Sequence, residues 1–177
     1  MRSLTRRRIG AVAAAVATFL ALATPATGAQ SLQFTMGAPA PCDRATPAEV
    51  EQIVDDIHRH TNRERAAAGV APVARLESLE RIARNWTETM ATRDRMAHNP
   101  DVRNQIDATY PGQWRSYGEN VLQNWCGVTG EALVQQWMNS PAHRVNLLNA
   151  NHTHLGVGVA IADSRKLYST QNFVRLR

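Results

Sequence analysis

Apolar residues recur every three or four positions in two stretches near the middle of the chain, the spacing of one buried helix face. Thr46 is a suitable N-cap for the first stretch, Pro47 suits its first helical position, and the pattern stops at Gly69. The second stretch runs from about Leu76 to Arg93. The predicted buried stripes of the two helices are Val50, Ile53, Val54 and Ile57, and Leu79, Ile82, Ala83, Trp86 and Met90.

Shorter apolar patterns in the second half of the chain predict strands. Residues 117–122, 155–161 and 167–173 each predict one strand, and the last two are joined by a predicted hairpin at residues 163–165. A third helix is predicted from about Gly130 to Met138, with a short helix or turn after it, and residues 99–112 are expected to be irregular. Early helices, late strands and no repeated strand–helix–strand unit indicate an α+β sandwich with a largely antiparallel sheet.

The first 29 residues are typical of a secretory signal peptide rather than of the folded domain. A basic head of four arginines precedes an apolar stretch and a small-residue region that ends at Ala29. An uncleaved membrane anchor is the alternative, but the apolar run is shorter than the roughly 20 residues that span a bilayer. We therefore predict a signal peptide over 1–29, an extended segment over 30–45 and one domain over 46–177.

Removing the predicted signal peptide changes the meaning of the charge. The 177-residue chain has a formal net charge of +5, and the first 29 residues carry four arginines and no acid. The mature domain is therefore near neutral, so its basic character does not indicate a nucleic-acid partner.

Two cysteines, Cys42 and Cys126, remain in the mature chain. An even pair in an exported protein favours a disulfide, so we predict one between them. A catalytic thiol is the alternative, but no Cys–His context surrounds either residue.

Seven short motifs, taken in order, resemble the CAP superfamily (cysteine-rich secretory protein, antigen 5 and pathogenesis-related 1), also called SCP-like, in its bacterial secreted form. The resemblance extends from about Pro47 to Phe173. The motifs are Asn62-x-x-Arg65 with Gly69, Ala83-x-x-Trp86 with Met90, Met96-x-His98, Gly118-Glu119-Asn120, Trp137-x-x-Ser140-Pro141-x-His143-Arg144-x-Asn146-Leu147-Leu148, Gly156-x-Gly158-Val159, and Tyr168-x-Thr170-Gln171-Asn172-Phe173.

This resemblance implies an α-β-α sandwich with a central cleft lined by two histidines and two acidic residues. By position, His98, Glu119 and His143 match three of the four, while the second acid, expected near Asn139, is absent. Our first hypothesis is a secreted, non-enzymatic monomer with this domain, free or associated with the cell wall. Its cleft is expected to bind a divalent cation, zinc or calcium, or a small or lipid-like ligand from outside the cell or from its envelope.

The chemistry of these three side chains leaves other functions open. Two imidazoles and a carboxylate suit a divalent cation, and the same groups suit general acid–base catalysis. An extracellular hydrolase of protease type would use Glu119 and His143 with a water molecule or with Ser140, although Ser140 is also an ordinary helix cap before a proline. A third interpretation is a hydrogen-bonded cluster that only stabilises an interaction module, and Asn120 is interpreted as structural.

The remaining histidines and two tryptophans are expected to be peripheral. His58 and His60 are placed on the solvent side of the first helix, and His152 and His154 at an exposed sheet edge. Trp114 and Trp125 are placed in loops that flank the Gly-Glu-Asn strand.

Overall fold

The computed structural model describes residues 45–177, and the predicted signal peptide and most of the predicted extended segment lie outside them. The described part of the chain contains five helices and four strands. In chain order these are α1 (Pro47–Ala67), β1 (Ala74–Arg75), α2 (Glu77–Arg93), α3 (Val102–Thr109), β2 (Trp114–Trp125), α4 (Gly130–Asn139), α5 (Pro141–Leu147), β3 (His154–Ile161) and β4 (Lys166–Leu176).

The four strands form one sheet in the order β1-β3-β4-β2. Strand β4 pairs antiparallel with both β3 and β2, whereas β1 pairs parallel with β3. The predicted α+β class and the largely antiparallel sheet are therefore confirmed. Strand β1 was not predicted, because two residues are too few to show any alternation. Strand β2, which carries Gly118-Glu119-Asn120, lies at an edge of the sheet.

Helix α1 begins where the sequence predicts, because two hydrogen bonds close a capping box. The Thr46 hydroxyl accepts the backbone N–H of Glu49 at 3.3 Å, and the Glu49 carboxylate accepts the backbone N–H of Thr46 at 2.7 Å. After the helix, Gly69 has a φ of +70°, in the left-handed region that favours glycine. Local chemistry thus fixes both ends of this helix.

Helix α2 lies directly against strand β3, and two glycines make that approach possible. A Cβ atom at Gly156 would lie 2.3 Å from the backbone carbon of Leu79, and one at Gly158 would lie 2.5 Å from that of Ala83. Because both neighbours are helix backbone, neither position has room for a side chain. The glycine run of β3 is therefore a contact surface for α2.

Apolar side chains cover both faces of the sheet. Helices α1, α4 and α5 contribute to one core around the fully buried Trp137, together with residues of β3 and β4. On the α2 side, one cluster joins α2 to α3 and a second surrounds Met90 and Tyr168. Helices therefore pack on both sides of a central sheet, as an α-β-α sandwich requires.

Two local predictions were wrong in the segment between α2 and α4. Residues 102–109 form helix α3 instead of irregular structure, and its Val102 and Ile106 are buried against α2. Two apolar residues four apart are too few to stand out as helical periodicity. Trp114 and Trp125 lie at the two ends of β2 rather than in loops, because pairing with β4 continues along the whole strand.

The predicted β3–β4 hairpin is confirmed. The N–H of Ala162 donates to the carbonyl of Lys166, and the N–H of Arg165 donates to that of Ala162, both at 2.9 Å. Cys42 lies outside the described residues, so the disulfide between Cys42 and Cys126 stays a prediction.

Candidate ligand site on the edge strand

Neighbouring residues of the Gly-Glu-Asn motif point to opposite faces of the sheet, because side chains alternate along a strand. The Glu119 side chain contacts residues 98 and 99, which follow α2. The Asn120 side chain instead donates to Gln171, whose own amide donates to Thr61 of α1. The motif therefore serves two sites, one on each face of β2.

Glu119 is a buried carboxylate with one satisfied and one unsatisfied oxygen. Its side chain is only 5% exposed. The Oε1 atom accepts the backbone N–H of Asn99 at 2.9 Å and lies 2.7 Å from Nδ1 of His98, which donates to it. The Oε2 atom is buried and has no hydrogen-bond partner within the described region. A buried acceptor in this state favours any ligand that brings a donor or a positive charge.

The environment of Glu119 opposes its ionisation. Burial raises the pKa of the Glu119 carboxyl, and the hydrogen bonds from Asn99 and His98 offset only part of this shift. His98 itself is largely exposed, with 65% of its side chain accessible. The pair therefore joins a buried acid to an imidazole that reaches solvent.

His143 lies on α5, which covers part of the β2 edge. The Asn120 side-chain amide donates to the carbonyl of His143 at 3.1 Å, and Asn146 donates both to the backbone carbonyl of Glu119 and to the Asn120 side chain. The Nδ1 atom of His143 is buried without a partner in the described region. Burial, and to a smaller extent the charge of His98, lowers the pKa of His143.

The structure thus brings two of the three predicted site residues into direct contact. His98 and Glu119 share a hydrogen bond, whereas within residues 45–177 the His143 ring bonds to neither of them. No group of three His, Cys, Asp or Glu side chains in the described residues is arranged to hold a metal ion. The arrangement therefore lacks the three ligands that a preformed zinc site requires.

Ser140 occupies the N-cap position of α5, and its carbonyl accepts the N–H groups of His143 and Arg144 at 3.1 and 2.9 Å. Its hydroxyl makes no capping bond, and residues 45–177 show no hydrogen bond between it and the His143 ring. This geometry does not provide the nucleophile–base contact of a serine hydrolase.

Three of the histidines predicted to face solvent are buried. His58 lies 2.8 Å from Glu80, a fully buried carboxylate that also binds Arg75, and His60 is 7% exposed. His152 is 3% exposed and stacks on Phe173, with ring centroids 5.3 Å apart. Burial, with a smaller contribution from Arg65, lowers the pKa of His152 to about 4. His154, by contrast, is half-buried.

The sequence held a signal for His58 that the apolar stripe alone did not reveal. His58 lies four residues after buried Val54, and the same stripe continues through buried Thr61 and Arg65. Helical spacing therefore indicated that His58 is buried. The prediction of a solvent-facing position was wrong because it relied on the polar character of histidine. Asn99 gave no such signal, because it binds Glu119 through its backbone N–H, which every non-proline residue carries.

Comparison with known proteins agrees with this fold and with the ordered motifs. The model of the cysteine-rich secretory protein family (CAP) matches residues 58–173. The chain is 31% identical over 133 residues to YkwD, an uncharacterized protein of Bacillus subtilis, covering 73% of this chain and 50% of that protein. This protein therefore belongs to the CAP family, and YkwD is a bacterial relative.

Among solved structures, an extracellular protein with an SCP domain from Bacillus anthracis matches with a TM-score of 0.63 and 28% identity, covering 75% of this chain and 44% of that one. An outer surface protein of Borrelia burgdorferi matches with the same TM-score at 15% identity, covering 72% and 96%, which shows the fold alone. The chain thus spans about half the length of YkwD and of the anthrax protein. None of the helices in residues 45–177 is long and apolar enough to cross a membrane.

Proposed function

We propose that this CAP domain is an exported, non-enzymatic binding module whose site is centred on Glu119. The ligand contributes a hydrogen-bond donor or a cationic group to Glu119 Oε2, and the exposed His98 contacts the part of the ligand that remains near solvent. His143, whose ring is close enough to His98 to feel its charge, contributes its Nδ1, which is unpartnered within the described residues. The ligand is an extracellular or envelope molecule, or a divalent cation that takes its remaining ligands from water or from that molecule.

One observation carries this proposal: Oε2 of Glu119 is buried and, within the described region, unpartnered, while Oε1 of the same carboxyl has two donors. Leaving a buried acceptor unsatisfied costs about 1–3 kcal/mol. A ligand that donates to Oε2 recovers this energy, and it also stabilises the ionised form that burial disfavours. A purely structural carboxylate gains nothing from leaving one oxygen unpaired.

Export is supported by the signal-peptide pattern of residues 1–29 and by the extracellular description of the anthrax relative. The lack of a hydrogen bond between Ser140 and the His143 ring within residues 45–177 argues against the serine-hydrolase route alone. Neither support depends on the identity of the ligand.

Calorimetric titration with zinc chloride, calcium chloride and methylguanidinium chloride tests the proposal. Wild type is expected to bind at least one of these probes. Glu119→Gln removes the charge with little change in shape and is expected to abolish that binding, and His98→Ala is expected to weaken it. His154→Ala, outside the site, is the matched control and keeps wild-type affinity.

Two results would overturn the proposal. One is that wild type binds none of the three probes. The other is that Glu119→Gln keeps wild-type affinity for the bound probe. Thermal unfolding of each variant confirms that lost binding does not come from lost folding.

A further inference from the structure

A groove with an apolar floor opens beside His98, at the C-terminal end of α2. It has a volume of about 270 Å³. Its apolar lining comes from Trp86, Met90, Ala97 and Pro100, and its polar lining includes Arg93, Arg95 and His98. We name this feature the Arg93–Arg95 groove. Its basic and apolar lining sets it apart from the neighbouring groove between α2 and the β3–β4 hairpin, which is lined by Glu88, Asp94 and Asp163.

The two arginines of the groove have no carboxylate partner in the described residues, although Asp94 lies between them in sequence. The Asp94 carboxylate is directed to the β3–β4 hairpin, where it accepts from Lys166 Nζ at 2.9 Å, from the Ser164 hydroxyl and from the Tyr168 hydroxyl. Among the residues that the structure describes, no acidic side chain lines the groove itself. Glu88 shares an adjoining groove with Arg93, but the two side chains form no ion pair in the part of the chain that the structure describes.

The wall of the groove is held in place before any ligand binds. The indole N–H of Trp86 donates to the carbonyl of Ala97 at 2.8 Å, and the N–H of Ala97 donates to the sulfur of Met90 at 3.4 Å. The carbonyl of Met90 accepts the N–H of Arg95 at 3.1 Å, which ties the residue after the helix end back to α2. The negative end of the helix dipole opposes an anion here, so the two guanidinium groups must outweigh it. A preformed wall lowers the entropic cost of binding.

From this lining we propose that the Arg93–Arg95 groove binds a small amphipathic anion. Its apolar part packs on Trp86 and Met90, and its carboxylate, sulfonate or phosphate pairs with Arg93 and Arg95. Guanidinium groups suit such oxyanions because they pair through two parallel hydrogen bonds. The groove is smaller than most drug-sized pockets, so the occupant is a small molecule or one end of a longer one.

This inference deepens the proposed function and rests on it, because His98 belongs to both the Glu119 site and the groove. A single ligand is then expected to place a donor group at Glu119 and an apolar, anionic portion in the groove. Apart from the shared His98, the Glu119 site and the groove use different residues, so each is tested by its own variants.

Fluorescence titration with 1-anilinonaphthalene-8-sulfonate tests the groove, with neutral N-phenyl-1-naphthylamine as the uncharged analogue. The double variant Arg93→Gln/Arg95→Gln is expected to lower the affinity for the sulfonate about fivefold to tenfold, as two partly exposed ion pairs would. Its affinity for the neutral analogue is expected to stay within about twofold of wild type. Trp86→Leu is expected to lower the affinity for both dyes, because it removes part of the apolar floor of the groove.

The matched control is Arg81→Gln/Arg84→Gln, which removes the same charge from exposed positions of the same helix. It is expected to keep wild-type affinity for the sulfonate. Equal losses in the two double variants, or no loss in either, would overturn the inference. Failure of the Glu119 site is read from the metal and guanidinium titrations, whereas failure of the groove is read from the dye titrations of the arginine variants.

A vesicle-binding assay distinguishes a groove that binds a soluble small molecule from one that binds a membrane surface. Flotation with phosphatidylcholine vesicles containing anionic phosphatidylglycerol is expected to leave the protein unbound. Vesicle binding that the Arg93→Gln/Arg95→Gln variant loses, without a matching loss of sulfonate binding, would overturn the small-molecule assignment.

Discussion

Glu119 and Asn120, adjacent residues on opposite faces of strand β2, differ in how fully their side chains are hydrogen-bonded. On the α2 face, Glu119 keeps one buried oxygen without a partner in the described residues and contacts the exposed His98. On the other face, Asn120 belongs to a network in which Asn146, Gln171 and Thr61 are linked through successive hydrogen bonds. A hydrogen-bonded network stabilises a fold, whereas under the proposed function the unpartnered acceptor beside an exposed imidazole receives a ligand. The proposal thus assigns different roles to adjacent residues of one motif.

The largest expected effect comes from breaking the hydrogen-bonded network. Asn120→Ala removes the donor to the His143 carbonyl and leaves Gln171 and Asn146 without their shared partner. We expect a loss of about 3 kcal/mol in the free energy of unfolding, since several buried groups lose hydrogen bonds together. Urea unfolding measures it. A loss below about 1 kcal/mol would show that this face is not a structural network.

The next effect concerns the space beside Gly118. A Cβ atom there would lie 2.8 Å from Oδ1 of Asn146 and 3.1 Å from Nε2 of His152. Gly118→Ala is therefore expected to destabilise the fold by about 1–3 kcal/mol through overpacking on the Asn120 face. Gly69→Asn provides a contrast, because that glycine has open space and only its backbone conformation is demanding. Unchanged stability of Gly118→Ala would contradict the close packing of α5 on β2.

The two faces are also expected to respond to pH in opposite directions. The pKa of His152 is lowered to about 4 in the folded state from 6.5, so between these values the unfolded chain binds more protons. Stability contributed by neutral His152 is present above pH 6.5 and is lost as the pH falls toward 4, by about 2 kcal/mol after allowance for solvent screening. Arg65 is the charged group that faces it, since its guanidinium donates to the His152 carbonyl.

His152→Phe tests this assignment, because phenylalanine keeps a ring against Phe173 and does not titrate. Chemical unfolding at a series of pH values is expected to show a shallower fall in stability below pH 6.5 for the variant. Parallel curves for wild type and variant would contradict it.

Glu119→Gln is expected to have the smallest effect on stability. Burial raises the pKa of Glu119 above 4.5, so the folded state binds more protons than the unfolded chain just above that value, and this contribution falls as the pH rises. Removing the charge at pH 7 is therefore expected to change the unfolding free energy by less than about 1 kcal/mol, or to raise it. A loss of about 3 kcal/mol in the free energy of unfolding would show that Glu119, like Asn120, has a structural role.

The elements that local chemistry specifies were predictable from the sequence. The Thr46–Glu49 capping box marked the start of α1, and the Gly156–Gly158 run marked a strand, although its close contact with α2 emerged only from the fold. The pairing of His98 with Glu119 was accessible because both belong to recognisable motifs.

Features that depend on tertiary contacts were not predictable. The buried position of His152 depends on Phe173, and the pairing of His58 with Glu80 joins residues that are distant in sequence. The absence of a hydrogen bond between the His143 ring and Glu119 within residues 45–177 depends on how α5 docks on β2, and no motif records that geometry. The Arg93–Arg95 groove likewise appears only when residues 95–100 fold back on α2.

The most direct test of the Glu119 site uses the backbone amide of Asn99, which donates to Glu119 and therefore reports on its ionisation and occupancy. Two-dimensional proton–nitrogen spectra recorded during a titration with the tightest-binding probe are expected to show a saturable shift of this amide in wild type. The shift is expected to be absent in Glu119→Gln and preserved in Asn120→Ser under conditions where that variant stays folded. An Asn99 signal that does not move in wild type at saturating probe would contradict the central claim that Glu119 receives the ligand.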